Sequence, residues 1–168
     1  MSSDRLALTL GTVAFAVVFY LLMLKGWRGR QKRQALYPAL PVAAGGSALL
    51  VGAVPGFFIG TVTEASWLDR VAVHDLCIRA KARLFLAEDG VHLERDGLDE
   101  LFFPYTAVLS AQPGDRLAGK VMGKDGLLIL TWRLGEHTLH SAFRADDHSA
   151  HARLALAITP LLPVEADK

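Results

Sequence analysis

Three short stretches hold the residue types that do chemistry. The first is "DDHSAHAR" (146–153), which offers Asp147, His148 and His151. Two histidines three apart fall on neighbouring positions of one helical face, the spacing from which a metal site can begin. Such a site needs three or four ligands with oriented partners behind them, and no further Cys/His cluster lies near in sequence. His137 and His140 fall on opposite faces of a regular strand. Solvated helix and strand positions are therefore expected for these histidines, with no metal and no cofactor. The second stretch, "GDRLAGKV" (114–121), is one residue from the phosphate-binding loop G-x-x-x-x-G-K-[ST]. Val121 replaces the hydroxyl that would hold magnesium, and "MGKDGLLIL" reads as turn and strand where that chemistry needs a helix N-terminus. A Gly-rich loop between strands is expected. The third, "ERDGLDE" (94–100), reads as a charged, solvated turn. Cys77 is the single cysteine and reads as a small buried apolar group. Ser110, Ser141 and Ser149 lack a nucleophile-elbow context. No catalytic residue emerges and no enzyme is expected; convergent polar groups in a deep pocket would reverse that.

Charge is distributed unevenly among the 168 residues. Residues 1–60 carry six Lys/Arg and one Asp, and residues 61–168 carry twelve Lys/Arg against sixteen Asp/Glu. Five cations (Lys25, Arg28, Arg30, Lys32 and Arg33) fall within "LKGWRGRQKRQ" (24–34). They follow "LALTLGTVAFAVVFYLLML" (6–24), which is uncharged. Nineteen residues at the helical rise cover about 28 Å, close to the hydrocarbon thickness of a bilayer. A cleaved leader would place its cations before the apolar run and small residues after it; the order here is reversed, so an uncleaved anchor is expected. Cations beside a span stay in the cytoplasm. The expected topology is single-pass in the inner membrane, N-terminus outside and C-terminal domain cytoplasmic. The mildly acidic domain excludes nucleic acid as a partner, because phosphate contacts need clustered cations on the folded surface.

A second uncharged stretch, "LPVAAGGSALLVGAVPGFFIG" (40–60), holds Pro41, Pro55 and five glycines. A flexible Pro/Gly/Ala linker leading into the first strand is the expectation, with a second span as the alternative. The expected organisation is an anchor over 1–27, a basic juxtamembrane segment and linker over 28–55, a folded domain over 56–163 and a tail over 164–168.

Beyond Gly56 the pattern becomes that of strands. "GFFIGTVTE" (56–64) is β-branched and aromatic, and "ARLFLAEDGVHLER" (82–95) is two short runs around a hairpin signal. In "ELFFPYTAVLSAQPGD" (100–115), Pro104 breaks or bends the strand. Residues 127–134 and 137–143 form the clearest hairpin, turning at Gly135-Glu136. The spacing then becomes helical. Asp146 or Asp147 is expected to cap a terminal helix whose apolar stripe is Ala150, Leu154, Ala157, Ile158 and Leu161. Many short strands and one terminal amphipathic helix predict a small, mainly-β barrel or sandwich plugged by that helix.

The stretches "GFFIGTVTEASWLDRV" (56–71), "RLAGKVMGKDGLLILTWRLG" (116–135) and "HSAFRADD" (140–147) resemble a group of actinobacterial single-pass membrane proteins. These carry a C-terminal bacterial pleckstrin-homology-like (PH-like) domain. The resemblance implies a transmembrane helix followed by a partly open barrel capped by the C-terminal α-helix. Genes of this group commonly sit among pyrimidine-biosynthesis genes and are loosely labelled transporter or export proteins, which makes a pyrimidine-pathway enzyme a candidate partner by association. The resemblance carries no catalytic residues.

The function expected is that of a membrane-anchored, non-catalytic adaptor that localises a protein partner. An accessory subunit of a transport system is the alternative, although one span without ionisable residues encloses no pathway. A second alternative is a lipid-head-group module. For that role, and for partner contact, the candidate residues are Lys25, Arg28, Arg30, Lys32 and Arg33 before the domain and Arg116, Lys120 and Lys124 around one loop within it.

Overall fold

The chain divides into two units, residues 1–36 and 37–168. The computed structural model describes residues 3–34, 37–117 and 119–163, with the side chains of 3–7, 27, 30–34 and 120 outside that description.

The first unit is one helix, α1 (Ser3–Gln34). Within it Leu8–Gly26 has a mean hydropathy of 2.0 and is long and apolar enough to cross a membrane. Its large apolar side chains, Phe15 and Phe19 among them, are exposed, so the chain itself buries none of that surface. The helix does not end with the apolar run. Lys, Arg and Gln are strong helix formers, and the two glycines at 26 and 29 cost about 1 kcal/mol each without breaking it. The boundary expected at residues 27–28 is therefore a change in side-chain chemistry along a continuous helix.

The second unit is built around one long strand, β1 (Leu49–Thr63). It begins seven residues before the expected start. Residues 49–60 are strand, so the alternative of a helical second span over 40–60 is not what this stretch forms. Residues 37–48 have no regular structure, yet Tyr37 and Leu40 pack against the domain core, and the Tyr37 ring lies 4.3 Å from that of His137. The expected flexible linker is corrected by those contacts: the partly buried Tyr37 and Leu40 hold the segment to the domain, while Val42 stays exposed.

After β1 come β2 (Ser66–Arg70), β3 (Ala80–Ala87), β4 (Gly90–Arg95), β5 (Leu98–Pro104) and β6 (Val108–Gly114). A two-residue hairpin, β7 (Arg116–Leu117) and β8 (Lys120–Val121), precedes β9 (Leu127–Leu134) and β10 (His137–Ala145). The order in the sheet is β5-β4-β3-β1-β10-β9-β6, with β2 paired to β1. Every pairing is antiparallel. The N-terminal part of β1 pairs with β3 (Leu49↔Ala87 to Phe58↔Ala80), and its C-terminal part with β10 (Gly56↔Ala145 to Thr63↔Leu139). One strand thus serves both halves of a bent, open sheet. The β1–β10 register shifts between Phe58 and Gly60, and Gly60 sits at φ +133°, a conformation other residues rarely adopt. At Gly56 a Cβ would lie 2.2 Å from the Arg144 carbonyl oxygen, so only glycine permits this approach of β1 to β10.

The hairpins fall where the residues place them: β3–β4 turns through Glu88-Asp89, and β9–β10 through Gly135-Glu136 with His137 opposite Leu134. β5 ends at Pro104, as its missing N–H requires. The core between the two halves is apolar. Phe103 meets Trp132 edge-on, centroids 4.9 Å apart. The Trp132 indole N–H donates to Ser141 Oγ (2.9 Å), which shares a 2.7 Å hydrogen bond with Thr61 Oγ1. All three residues are buried, and this uncharged chain satisfies the polar tip of the largest core side chain.

Helix α2 (Ala150–Ile158) packs on β6, β9 and β10. Ala150, Leu154 and Ile158 are buried as expected, and Ala155 and His151 join them. Ala157 is half-buried, and Leu161 is exposed where the chain tightens into a 3₁₀ turn at Thr159–Leu161 and leaves the helical register. The N-cap position belongs to Ser149. Asp147 lies two residues before it, accepting from the Ser149 N–H (3.0 Å) and hydroxyl, while its carbonyl accepts from the Ala150 N–H.

Candidate functional site

The β4–β5 hairpin carries a group that the strand pattern marks. Along "VHLER" (91–95), Val91 and Leu93 are core residues while Glu94 is only half-buried, which puts Arg95 on the inward side of the strand. Arg95 is 5% exposed, which corrects the expectation that "ERDGLDE" is solvated throughout. Its Nε–H donates to the Asp99 carbonyl (3.0 Å) and its Nη1 to the Asp75 carbonyl (2.8 Å), and its guanidinium lies 5.5 Å from the Phe58 ring centroid. No carboxylate is bonded to it among the described residues, and Nη2 has no hydrogen-bond partner among them. Burial pulls its pKa below the usual arginine value, with the charges of Asp75 and Asp99 opposing that.

The Asp75 carbonyl is delivered by a strained turn. His74 and Asp75 both sit at φ +55°, a left-handed conformation that costs an L-residue roughly 1–2 kcal/mol. Cys77 closes this turn. It is half-buried rather than buried, and its carbonyl accepts from Arg70 Nη1 (3.1 Å).

The other side of the β3-β4-β5 sheet carries a ladder across paired positions Phe85↔His92↔Phe102. The Phe85 and Phe102 centroids lie 5.8 and 4.8 Å from that of His92. His92 Nδ1 is 2.6 Å from Glu100 Oε1 and its Nε2 is 3.0 Å from Asp89 Oδ1. Carboxylates only accept, so both ring nitrogens must carry hydrogen, and the ring is an imidazolium. Burial alone would lower its pKa, but the bonds and charges of Asp89 and Glu100 outweigh burial and raise it. The Asp89 carboxyl is held below its ordinary value, first by the His92 bond. A ring with no free nitrogen accepts no proton from a substrate, so the trio bonded in this way does not act as a base.

Two clefts open beside these groups. One, of about 420 Å³, is lined by residues 40–43, by Asp99, Glu100 and Phe102 of β5, and by His74, Asp75 and Arg95. The other, of about 150 Å³, is lined by residues 45–47 together with Asp89 and His92. The His92–Glu100 bond joins a wall of one to a wall of the other. Sequence reasoning missed all of this. The outward His92 and inward Arg95 were available from the alternation of β4, but their partners come from turns and from residues 37–48.

The residues singled out in advance lie elsewhere. Lys25 and Arg28 are exposed on α1. Arg30, Lys32 and Arg33 continue the same helix, and Lys120 lies in β8; the side chains of these four are outside the described set. Arg116 is exposed on β7 and pairs with Asp115 (3.3 Å), and Lys124 is exposed in the turn that follows β8. The β7–β8 hairpin approaches β2: a Cβ on Gly119 would lie 3.3 Å from Leu68 Cδ2. Trp67, Leu68 and Val121 are exposed. "GDRLAGKV" is thus a strand end and a small hairpin with no helix behind it.

His151 is the clearest correction to the expected solvated histidines. It is 1% exposed, and its Nε2 accepts from the Ala145 N–H (2.9 Å), which fixes a neutral ring with its proton on Nδ1. Nδ1 is buried without a hydrogen-bond partner. Burial pulls the His151 pKa down. His148 stays exposed and meets the His151 ring edge-on at 5.5 Å. Among the described residues, no three His, Cys, Asp or Glu side chains converge on a point where a metal could sit.

No curated protein matches the chain significantly. A family model described as bacterial PH domain-like matches residues 35–159, a span that takes in the packed segment before β1, the open sheet and helix α2. With the sheet order and terminal helix described above, this places the chain in the bacterial PH domain-like family.

Proposed function

We propose that the protein is a non-catalytic, membrane-anchored binding module whose PH-like domain works at the cytoplasmic face and localises a protein partner. PH-like domains are in general non-enzymatic binding modules. The observation that carries the reading is the pairing, in one chain, of an unburied apolar helix with a domain whose clefts are lined by charged groups committed to holding. The basic run after the apolar stretch supports the cytoplasmic assignment. Anchoring raises the effective concentration of a partner at the membrane without requiring a large interface.

The test is capture from cells. The chain is tagged at its C-terminus, cross-linked at native expression and purified in mild detergent, beside a version lacking residues 1–27. A recurrent, near-stoichiometric soluble partner is the expected result. A polytopic membrane partner would instead make the protein an accessory subunit of a transport system, and the absence of any reproducible partner would remove the adaptor reading.

One observation favours direct lipid contact as a second reading. Exposed Trp67, Leu68 and Val121 share a region with Arg116 and Lys124, a mixture suited to an anionic interface. Arg116→Glu with Lys124→Glu should then weaken binding to phosphatidylserine vesicles, and unchanged binding would dismiss it.

A further inference from the structure

The larger cleft joins features that structural packing alone does not require. Its walls present three exposed carboxyl groups, Asp75, Asp99 and Glu100. Arg95 lines the same cleft while 5% exposed, and its Nη2 lacks a partner among the described residues. Nη2 is not among the buried atoms left without a partner, so this donor reaches the cleft and is open to an acceptor there. Both Asp75 and Asp99 give their carbonyls to Arg95, which leaves their carboxylates free to face something else. Glu100 is tied to His92, so its position is fixed before a ligand comes. Strand β5 is an edge of the sheet, and residues 40–43 form the cleft without regular structure of their own.

We propose that this cleft is the receptor site for an extended, lysine- or arginine-bearing segment of a protein partner. A main-chain carbonyl of the segment takes the free Arg95 Nη2, and its cationic side chain meets Asp75 and Asp99, beside the His92-bound Glu100. The choice of occupant rests on charge complementarity: Glu100 is paired with the His92 imidazolium, and the two unpaired carboxylates of Asp75 and Asp99 against the one Arg95 guanidinium leave the rim acidic. Edge strands accept extended segments through their main chain while side-chain pockets supply selectivity. A volume of about 420 Å³ suits two or three residues of such a segment. The inference deepens the proposed function and rests on it.

The test uses the full chain in nanodiscs of zwitterionic lipid, so that cationic probes do not bind the bilayer. Three fluorescent octapeptides are compared by anisotropy: alternating Lys-Thr, Gln-Thr and Glu-Thr. The lysine peptide should bind at least about tenfold more tightly than the other two. Asp75→Asn with Asp99→Asn should remove that preference, while Glu136→Gln, in the β9–β10 turn, should leave it intact. Arg95→Lys should weaken all three alike, with thermal unfolding confirming that the variant folds. Equal binding of the lysine and glutamine peptides, or a preference untouched by the double variant, overturns the proposal. In cells, a photo-crosslinking residue replaces Val42, exposed on the cleft, or Leu156, exposed on α2. A partner adduct at Val42 that the double variant abolishes supports the site. An adduct at Leu156 alone overturns the site but leaves the adaptor reading standing. Failure to capture any partner at either position, together with none co-purifying, removes both.

Discussion

His92 and His151 lie in the same domain, 9% and 1% exposed, and hold opposite charge states. His92 sits on the outer side of the β3-β4-β5 sheet with a carboxylate on each nitrogen. His151 sits under α2 with a backbone N–H on one nitrogen and nothing on the other. Partner type, more than depth, decides the proton. Two acceptors demand two N–H groups, and one donor demands a lone pair. The charged histidine lines a cleft, where water and ligands reach it. The neutral one closes the junction between β10 and α2.

The comparison can be broken most forcefully at His151. His151→Ala leaves the Ala145 N–H unpaired and opens a void under α2, and it should cost about 3 kcal/mol in urea unfolding. A loss below about 1 kcal/mol would show that the helix seat does not depend on the ring. His92→Gln should cost less, about 1–2 kcal/mol at pH 6, because the clamp is partly open to solvent.

The two sites should also bend the stability profile in opposite directions. The folded pKa of His92 is raised, so its contribution is complete below the unfolded value of about 6.5 and is lost as pH rises through the folded value. The folded pKa of His151 is lowered, so its contribution is present above about 6.5 and is lost as pH falls through the folded value. Unfolding curves from pH 5 to 9 should therefore lose their alkaline decline in His92→Gln and their acid decline in His151→Ala. Tyr105 supplies a control between them. Its hydroxyl donates to the Ala87 carbonyl (2.9 Å), and burial, with help from the charge of Asp89, pushes its pKa up to about 12. Tyr105→Phe should cost about 1 kcal/mol with no dependence on pH below 9. The smallest effect is expected from Glu100→Gln, below about 1 kcal/mol. It should still move the His92 titration, followed by NMR of the ring protons, to lower pH.

Much of the fold was legible, because hairpins and a terminal amphipathic helix write local patterns. "EDG" and Gly135-Glu136 marked two turns, Pro104 marked the end of a strand, and Ala150, Leu154 and Ile158 marked the buried side of α2. The start of β1 was not legible. Residues 49–55 are apolar without alternation, and only pairing with β3 makes them strand. The site was legible only in halves. The alternation in β4 separates His92 from Arg95, but Asp75, Asp89 and residues 40–43 reach them through turns and tertiary packing. A charge count along the chain drew attention to Arg116, Lys120 and Lys124 because they cluster in sequence. The Arg95 cleft is assembled from residues up to about 60 positions apart, and no local count reveals it.

The double duty of β1 also sets an order in time. Its first half can pair with β3 as soon as the next 30 or so residues have left the ribosome. Its second half must wait for β10, since Gly56 meets Ala145. At 5–20 residues per second that delay is roughly 5–18 s. Through it the β10-facing edge of Gly56 to Thr63, which carries Phe57, Phe58, Ile59 and Val62, stands unpaired. The apolar helix has by then been made in full, so this unpaired interval comes after the segment long and apolar enough to cross a membrane.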